Sequence, residues 1–272
     1  MSARHHHPGP HELGQNQLTD RAVARRVADL VAGRDLPIVE WAAGTGALTR
    51  HLALLGTPLE AVEIDPAARA MLRRTVGPHV AITGGDILRH APPAHPYDLV
   101  CNVPFHLTTP VLRRLLRLPR WQRAVLLTQW EVARKRAGVG GTTLLTAQWW
   151  PWYTFRLAGR VPAAAFVPRP AVDGGILVVD RRPHPLVDSR AAYQSWVQAA
   201  FTGPGSGITA ILARTGLPRR AVDRWARAER VGPHTLPRDL TAEQWVSAYA
   251  LLRPSGRPRS PAGGGRAAVV RV

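Results

Sequence analysis

Short apolar runs alternate with amphipathic stretches between residues 37 and 128, and few folds are compatible with such an alternation. The apolar runs predict strands over residues 37–41, 59–64, 80–82, 97–101 and 123–128. The stretches around them predict helices over residues 20–32, 47–55, 66–75 and 108–118. This order of elements predicts an α/β fold with a parallel, doubly wound, Rossmann-like sheet. Residues 149–157 and 175–180 are predicted as later strands that close the sheet.

The sequence pattern changes near residues 181–185, and no strand pattern is found beyond them. Helices are predicted over residues 189–202, 206–214, 218–228 and 240–252, which indicates a small C-terminal all-helical domain. We therefore predict four parts along the chain. They are a flexible arm at 1–13, a Rossmann-like domain at 14–182, a helical RNA-binding domain at 186–253 and a disordered basic tail at 254–272.

The formal net charge of +18, from 36 basic and 18 acidic residues, indicates a polyanionic partner. Neutralising phosphates releases counterions, and this release drives binding of a basic protein to nucleic acid. An anionic membrane surface is the competing interpretation. However, no apolar run reaches the roughly 18 residues that a spanning helix needs, and no signal-peptide pattern opens the chain. The composition therefore favours a nucleic acid over a membrane.

A single cysteine, Cys101, cannot form an internal disulfide or a zinc site, so we expect a reducing, cytoplasmic setting. His5, His6 and His7 stand among arginine, proline and glycine, and we interpret them as part of the flexible arm. A metal site or a tag remnant is the alternative for this cluster. We expect no bound metal.

Residues 40–49 read EWAAGTGALT and connect a predicted strand to a predicted helix. Small residues there let the backbone approach a ligand, and a helix N-terminus favours negative charge. Glu63 ends the next strand, where a carboxylate can hold ribose hydroxyls, and Asp86 ends the third. A dinucleotide and S-adenosylmethionine both fit, although Thr49 stands where the dinucleotide fingerprint has a third glycine. An unrelated strand–helix turn is the alternative.

The most specific segment is Asn102-Val103-Pro104-Phe105, at the end of the fourth predicted strand, an edge where α/β sheets bind ligands. An exocyclic adenine amine is a poor nucleophile because its lone pair is delocalised into the ring. The Asn102 oxygen and a backbone carbonyl at Val103 or Pro104 would accept from its hydrogens. Phe105 offers a face for a flipped-out base. An Asn-Pro turn is the alternative, and His106 is an alternative base for which we favour a surface role.

These segments, in this order and spacing, resemble the ribosomal RNA adenine N6-methyltransferases over roughly residues 11–180. That superfamily includes the Erm-type macrolide-resistance enzymes and the small-subunit dimethyladenosine transferases. The resemblance is carried by QNQL at 15–18, residues 40–49, EID at 63–65, GDI at 85–87 and NVPF at 102–105. Residues 129–136 (QWEVARKR) and 166–170 (FVPRP), with Phe105 where the housekeeping branch usually has tyrosine, look more like the Erm branch.

The resemblance implies S-adenosylmethionine as cofactor and an adenine of 23S ribosomal RNA as substrate, with resistance to macrolide, lincosamide and streptogramin B antibiotics. It implies cofactor contacts from Asn16, Leu18, Ala42, Gly44, Glu63, Ile64, Asp86, Ile87 and Asn102. It also implies that Asn102 and Pro104 present the target amine, with Phe105 and Phe166 sandwiching the base.

Two positions depart from the family pattern. Gln17 stands where the family usually has phenylalanine, and Ala42 stands where it usually has the first glycine of the loop. Ala42 can replace that glycine if the backbone there does not need a positive φ. Gln17 is expected to loosen the packing of the N-terminal segment over the cofactor.

Two basic stretches are candidate RNA contacts. Arg113 and Arg117 lie on the helix predicted at 108–118, with a solvated face as the alternative, and Arg134, Lys135 and Arg136 precede a glycine-rich segment. The aromatic residues between 149 and 155 resemble a base-stacking array, but most are expected to be core.

We expect a monomer with ribosomal RNA as its partner. A 16S ribosomal RNA dimethyladenosine transferase and a non-catalytic RNA-binding relative are the alternatives.

Overall fold

The computed structural model describes residues 16–252. The predicted arm at 1–13, with His5 to His7, and the predicted tail at 254–272 lie outside these residues. Nine strands are assigned in the described part: β1 Gln17–Leu18, β2 Ile38–Trp41, β3 Leu59–Glu63, β4 Val80–Gly84, β5 Tyr97–Asn102, β6 Trp121–Gln129, β7 Tyr153–Val161, β8 Phe166–Val167 and β9 Gly174–Arg181. Ten α-helices are assigned there: α1 Arg21–Asp29, α2 Thr49–Ala53, α3 Pro66–Thr75, α4 Thr108–Leu115, α5 Trp130–Arg136, α6 Leu144–Trp149, α7 Arg190–Thr202, α8 Ile208–Arg214, α9 Arg219–Ala228 and α10 Ala242–Ala250.

Seven strands form the central sheet in the order β4-β3-β2-β5-β6-β9-β7. The five strands predicted between residues 37 and 128 are all present, and they pair in parallel from β4 to β6. The order reverses between β2 and β5, so the turn after β2 and the segment after β5 meet at one edge of the sheet. Ligands bind at such a crevice in open α/β sheets.

The direction of the last two strands, which was not predicted from the sequence, is antiparallel. β9 runs antiparallel to β6, and β7 runs antiparallel to β9. The chain reverses between β7 and β9 over residues 162–173, without the crossover helix that usually joins parallel strands. Asp173 closes this reversal, because its carboxylate accepts from the Ala163 N–H at 2.8 Å and pairs with Arg160 at 2.7 Å.

Two helices were not predicted, and one predicted strand starts too early. Residues 130–136 and 144–149 are helical, so the strand predicted at 149–157 begins only at Tyr153. Thr143 caps the second of these helices through the Thr146 N–H at 3.3 Å. The aromatic residues 149–155 are mainly core, as expected, since Trp149, Trp150, Tyr153 and Phe155 are all less than 10% exposed.

A second, two-stranded sheet joins the N-terminal segment to the loop before β9. β1 pairs antiparallel with β8, with Leu18 opposite Phe166 and Gln17 opposite Val167. The Thr19 N–H extends the pairing with a bond to the Ala165 carbonyl at 2.8 Å. Residues that are far apart in sequence are thus brought to the same edge of the molecule.

The middle of the central sheet is fully buried. Leu99, Val100 and Cys101 of β5 are inaccessible to solvent. Burial raises the pKa of the Cys101 thiol well above its usual value.

The described residues contain no helix that is long and apolar enough to cross a membrane.

The four predicted C-terminal helices are present as α7 to α10 and pack through aromatic side chains. Tyr193 of α7 contacts Tyr249 of α10 with ring centroids 5.1 Å apart, and Trp196 meets Trp245 at 5.8 Å. Tyr193 also donates its hydroxyl hydrogen to the Ala147 carbonyl of α6 at 3.1 Å. The buried core is therefore continuous between the central sheet and these helices. The domain boundaries at 14–182 and 186–253 stay predictions.

Candidate active site

The glycine-rich turn after β2 is held in place by Glu63. This side chain is 1% exposed, and its Oε2 accepts from the Gly44 N–H at 2.7 Å. The other carboxylate oxygen accepts from the Asp65 N–H at 2.9 Å. The Ala43 N–H, in turn, donates to the Val62 carbonyl at 3.1 Å. The ends of β2 and β3 are therefore locked together around a buried carboxylate.

Ala42 opens this turn in the left-handed region of backbone space, with φ 56°. The condition under which alanine would replace glycine without cost is therefore not met. A left-handed conformation costs a non-glycine residue roughly 1–2 kcal/mol, because Cβ approaches the carbonyl oxygen. The surrounding hydrogen bonds hold this strained residue at the wall of the site.

Glu40 belongs to the segment EWAAGTGALT but was not predicted as a residue of the site. It lies on β2, is 2% exposed, and its Oε2 has no hydrogen-bond partner. Burial raises the pKa of its carboxyl to about 8. An acidic residue within the apolar strand Ile38-Val39-Glu40-Trp41 was the sequence feature that could have identified it.

Two adjoining hollows lie at this edge of the sheet, and Ala42 and Pro104 line both. The first, of about 480 Å³, is bounded by the glycine turn, Glu40, the N-terminal segment and Asn102. Its predicted cofactor residues are Asn16, Leu18, Ala42, Gly44 and Asn102. The second, of about 460 Å³, is bounded by Glu63, Ile64, Asp86 and Ile87. All nine predicted cofactor residues are thus brought together.

The second hollow combines carboxylates with apolar side chains. Ile64 is 49% exposed although it is aliphatic, whereas Ile87 is buried. Asp86 Oδ1 accepts from the Leu88 N–H at 2.8 Å, so the carboxylate is tied into its own turn. An exposed isoleucine beside such carboxylates suits a flat heterocycle that also carries polar groups.

The segment after β5 presents Asn102 to the first hollow. The Asn102 amide nitrogen donates to the Asn16 carbonyl at 3.0 Å, which leaves the amide oxygen to accept. The Pro104 carbonyl already accepts from the Leu107 N–H at 2.8 Å, and the Val103 N–H donates to Leu127 at 2.9 Å. Of the two carbonyls considered from the sequence, Val103 is therefore the one not engaged in closing this turn.

Phe105 and Phe166 are brought together, but in edge contact. Their ring centroids lie 6.2 Å apart with an interplanar angle of 68°. Phe166 is 1% exposed, because it sits on β8 and packs toward Gly174. Phe105 is half-buried. Only Phe105 therefore offers a substantial open face in this arrangement.

The predicted RNA-contacting residues fall into two groups. Arg113, Arg117 and Lys135 are exposed. Arg134 pairs with Glu131 at 2.8 Å and donates to the Val139 carbonyl at 3.0 Å.

Arg136 is largely enclosed, and one of its guanidinium nitrogens donates to Thr143 Oγ1. Burial, followed by the nearby charge of Arg113, lowers the pKa of Arg136. One of the three consecutive basic residues predicted to contact RNA is therefore packed against the protein.

Comparison with known proteins identifies the family to which this site belongs. A family model described as ribosomal RNA adenine dimethylase matches residues 7–253. The chain belongs to this family. It is 52% identical over 258 residues to the mycinamicin-resistance protein MyrB of Micromonospora griseorubida. That alignment covers 94% of this chain and 83% of MyrB.

Two further relatives agree with this assignment. An rRNA adenine N-6-methyltransferase of Corynebacterium diphtheriae is 48% identical over 219 residues, covering 79% of this chain and 86% of that protein. The crystal structure of the 23S rRNA methyltransferase ErmE superposes with a TM-score of 0.81 at 33% identity. That match covers 87% of this chain and 99% of ErmE.

The chain is therefore an S-adenosylmethionine-dependent ribosomal RNA adenine methyltransferase. The predicted fold class is confirmed. The residues present fit that cofactor. The buried Glu40 carboxyl, whose Oε2 has no hydrogen-bond partner, suits a cationic amino-acid end, and the second hollow suits a nucleoside.

Proposed function

We propose that this methyltransferase modifies the N6 amine of an adenine in 23S ribosomal RNA and thereby confers resistance to macrolide, lincosamide and streptogramin B antibiotics. The observation that carries the proposal is the Asn102 amide, oriented by Asn16 at the mouth of the first hollow. Similarity to the mycinamicin-resistance protein MyrB supports the resistance, and similarity to the 23S rRNA methyltransferase ErmE supports the 23S substrate.

We assign the amino-acid end of the cofactor to the first hollow and its adenosine to the second. Asn16, Leu18, Ala42 and Gly44 would border the amino-acid end, and Glu40 would receive its ammonium group. Glu63 would accept from the ribose hydroxyls.

The adenine would lie on Ile64, opposite Ile87, and the Asp86 carboxylate would accept from its amine. Asn102 would line the passage between the two ligands.

The bound cofactor supplies a methyl group that is already activated on a sulfonium. The protein must therefore mainly position the amine, and no strong general base is required. The Asn102 amide oxygen and the Val103 carbonyl accept from the two amine hydrogens, which favours a pyramidal nitrogen with an available lone pair. Pro104 restricts the backbone so that these acceptors keep their direction.

Phe105 is the face on which the target base would stack. Phe166 contacts the edge of Phe105 and is tied to the cofactor-side segment through the β1–β8 pairing. We assign Phe166 to the wall of the base pocket. A sandwich of the base between the two rings would require Phe105 to turn away from its edge contact.

Near the site, RNA phosphates would be contacted by Arg113, Arg117, Arg134 and Lys135. Arg136 would contribute its positive charge to RNA binding while it stays packed against Thr143. We also assign RNA contact to the helical domain at 186–253. Here α9 buries Val222, Trp225 and Ala226 on one side. On the other it exposes Arg220, Arg224 and Arg227, at i, i+4 and i+7. We call these three residues the α9 arginine face.

Tritium transfer from labelled S-adenosylmethionine to protein-free 23S and 16S RNA tests the proposal. We expect label in 23S adenine, and a loss of at least about 100-fold in Asn102→Ala, which removes one of the two acceptors. His106→Ala, assayed at saturating cofactor because His106 also lines the second hollow, should keep its activity, since the exposed His106 should not act as a base. Label confined to 16S RNA would place the enzyme in the housekeeping branch.

The same preparation can test the remaining expectations. Cofactor binding without label in either RNA would favour a binding role. We expect a monomer by sedimentation, and activity that survives chelation of metal ions. The cytoplasm is the expected compartment, because the ribosomal substrate lies there.

A further inference from the structure

His90 lies in the compact turn that directly follows Asp86, and its side chain is 6% exposed. The His90 N–H donates to the Asp86 carbonyl at 2.8 Å, and the Leu88 N–H donates to Asp86 Oδ1 at 2.8 Å. One turn therefore sets both the direction of the Asp86 carboxylate and the place of the imidazole. His90 itself lines neither of the two hollows.

The His90 ring is held from both sides. Its Nδ1 lies 3.2 Å from the indole nitrogen of Trp41, and its Nε2 lies 3.1 Å from Glu60 Oε1. Because an indole nitrogen only donates, Nδ1 accepts, and the ring proton is on Nε2 facing Glu60. Glu60 Oε1 is itself fixed by the Thr83 hydroxyl at 2.7 Å. These contacts use both ring nitrogens, so they leave the ring with a positioning role.

The partners of His90 belong to the other walls of the site. Trp41 directly precedes Ala42, where the glycine turn begins, and Glu60 lies on the strand that ends at Glu63. Arg114 of α4 donates to the His90 carbonyl and lies 6.0 Å from the Trp41 ring centroid. Helix α4 follows the Asn102 segment. His90 is thus the point where the glycine turn, the Asp86 turn and α4 are joined.

We propose that His90 is a positioning residue for cofactor binding. By joining Trp41 to Glu60, it holds the Asp86 turn at a fixed separation from the glycine turn, and so sets the width of the hollow assigned to the cofactor's adenine. The inference rests on the proposed role of Asp86. Its effect falls on affinity for the adenosine end and leaves the methyl-transfer step unchanged once the cofactor is saturating.

The test compares the binding of two probes by calorimetry: S-adenosylhomocysteine, and 5′-methylthioadenosine, which lacks the amino-acid end. We expect His90→Phe, which keeps a planar ring but removes both hydrogen bonds, to weaken both probes by the same factor of about ten. The kcat at saturating cofactor should stay within about twofold. Unchanged affinity, a loss confined to S-adenosylhomocysteine, or an equal fall in kcat would overturn the proposal.

Two conservative variants separate hydrogen bonding from mere filling of space. His90→Gln can still donate to Glu60, and His90→Asn can still accept from Trp41, so each should retain part of the affinity. Parental affinity in both, or a loss in both equal to that of His90→Phe, would contradict the proposal. If His90→Phe does not fold, weakened binding in these two variants supports it and parental binding in both refutes it.

Asp86→Asn distinguishes this inference from the assignment beneath it. If Asp86→Asn weakens 5′-methylthioadenosine but no His90 variant does, only the role of His90 fails. If Asp86→Asn binds that probe as tightly as the parent, the assignment of Asp86 fails instead. Neither probe involves RNA, so the choice of RNA substrate does not affect the result.

Discussion

The carboxyl edge of the central sheet and the helical region meet different demands. The edge holds a buried carboxyl, Glu40, whose Oε2 has no hydrogen-bond partner, and a strained residue, Ala42. The helical region also has unpartnered buried polar atoms, but they are the indole nitrogens of Trp196 and Trp245. Burying a neutral N–H costs far less than burying a carboxyl group, which must either lose the hydration of its anion or take up a proton. The residues at the sheet edge thus lower the stability of the fold where ligands bind, and the packed aromatic side chains of the helices raise it.

Removing an aromatic ring from the helical region should have the largest effect on stability. Trp245 is fully buried, stacks on Phe201 at 6.1 Å and contacts Trp196. We expect Trp245→Ala to lower the free energy of unfolding by about 3–5 kcal/mol, as measured by urea denaturation. Trp245→Phe is the control and should lose much less. A loss below about 1 kcal/mol for alanine would remove the contrast between the two regions.

Glu40 should show the opposite behaviour, because its burial opposes folding. The pKa of about 8 lies above the ordinary value of 4.5, so the folded protein holds a proton that the unfolded chain releases. The free energy of unfolding should therefore fall as pH rises from 4.5 to 8. At pH 8 we expect ligand-free Glu40→Gln to be more stable than the parent, by on the order of 3 kcal/mol.

Urea denaturation at several pH values tests this expectation. The difference between Glu40→Gln and the parent should vanish near pH 4. The same variant should bind S-adenosylmethionine more weakly, because it cannot ionise against the ammonium group. Equal stability at every pH would contradict the argument.

The α9 arginine face should matter for RNA binding and not for stability. We expect the double variant Arg220→Gln/Arg224→Gln to weaken RNA binding about tenfold and to reduce the slope of log Kd against log salt concentration by about 1.5. The matched control is Arg73→Gln/Arg74→Gln on α3, which removes the same charge from exposed positions. An equal loss in both pairs would mean that only net charge counts.

The smallest expected effect comes from a pair of residues with the same positive φ. Ala42 and Gly44 both have φ 56°, and a Cβ at Gly44 would meet nothing within 4 Å. Ala42→Gly should raise the free energy of unfolding by about 0.5–1 kcal/mol, and Gly44→Ala should lower it by about 1 kcal/mol. Thermal unfolding measures both, and two changes of the same sign would exclude backbone strain as the cause.

The elements at the centre of the sheet could be predicted because their sequence is locally consistent. Ile38–Trp41 and Tyr97–Asn102 are apolar runs next to turn residues, which is what a buried parallel strand requires. Local sequence does not specify the antiparallel pairing of β7 and β9 or the pairing of β1 with β8. Strand pairing depends on contacts between different segments, and Leu18 and Phe166, which pair in the small sheet, are more than a hundred positions apart.

The site shows the same division. Residues assigned by motif, such as Asn102 and Glu63, lie together because the strand order brings their strand ends to one edge. The run 134–136 was predicted to contact RNA, but Arg136 is packed and donates to Thr143, the residue that caps α6. The positive φ of Ala42 and the joining role of His90 depend on three-dimensional contacts that no local pattern contains.

Cys101 makes the centre of the sheet accessible to kinetic measurement. It is the chain's one cysteine, fully buried, and the neighbour of Asn102. An alkylating reagent can reach its sulfur only while β5 separates from its neighbours, so the rate of labelling reports how often that strand opens. The chain thus carries a reporter of transient opening one residue from the Asn102 amide.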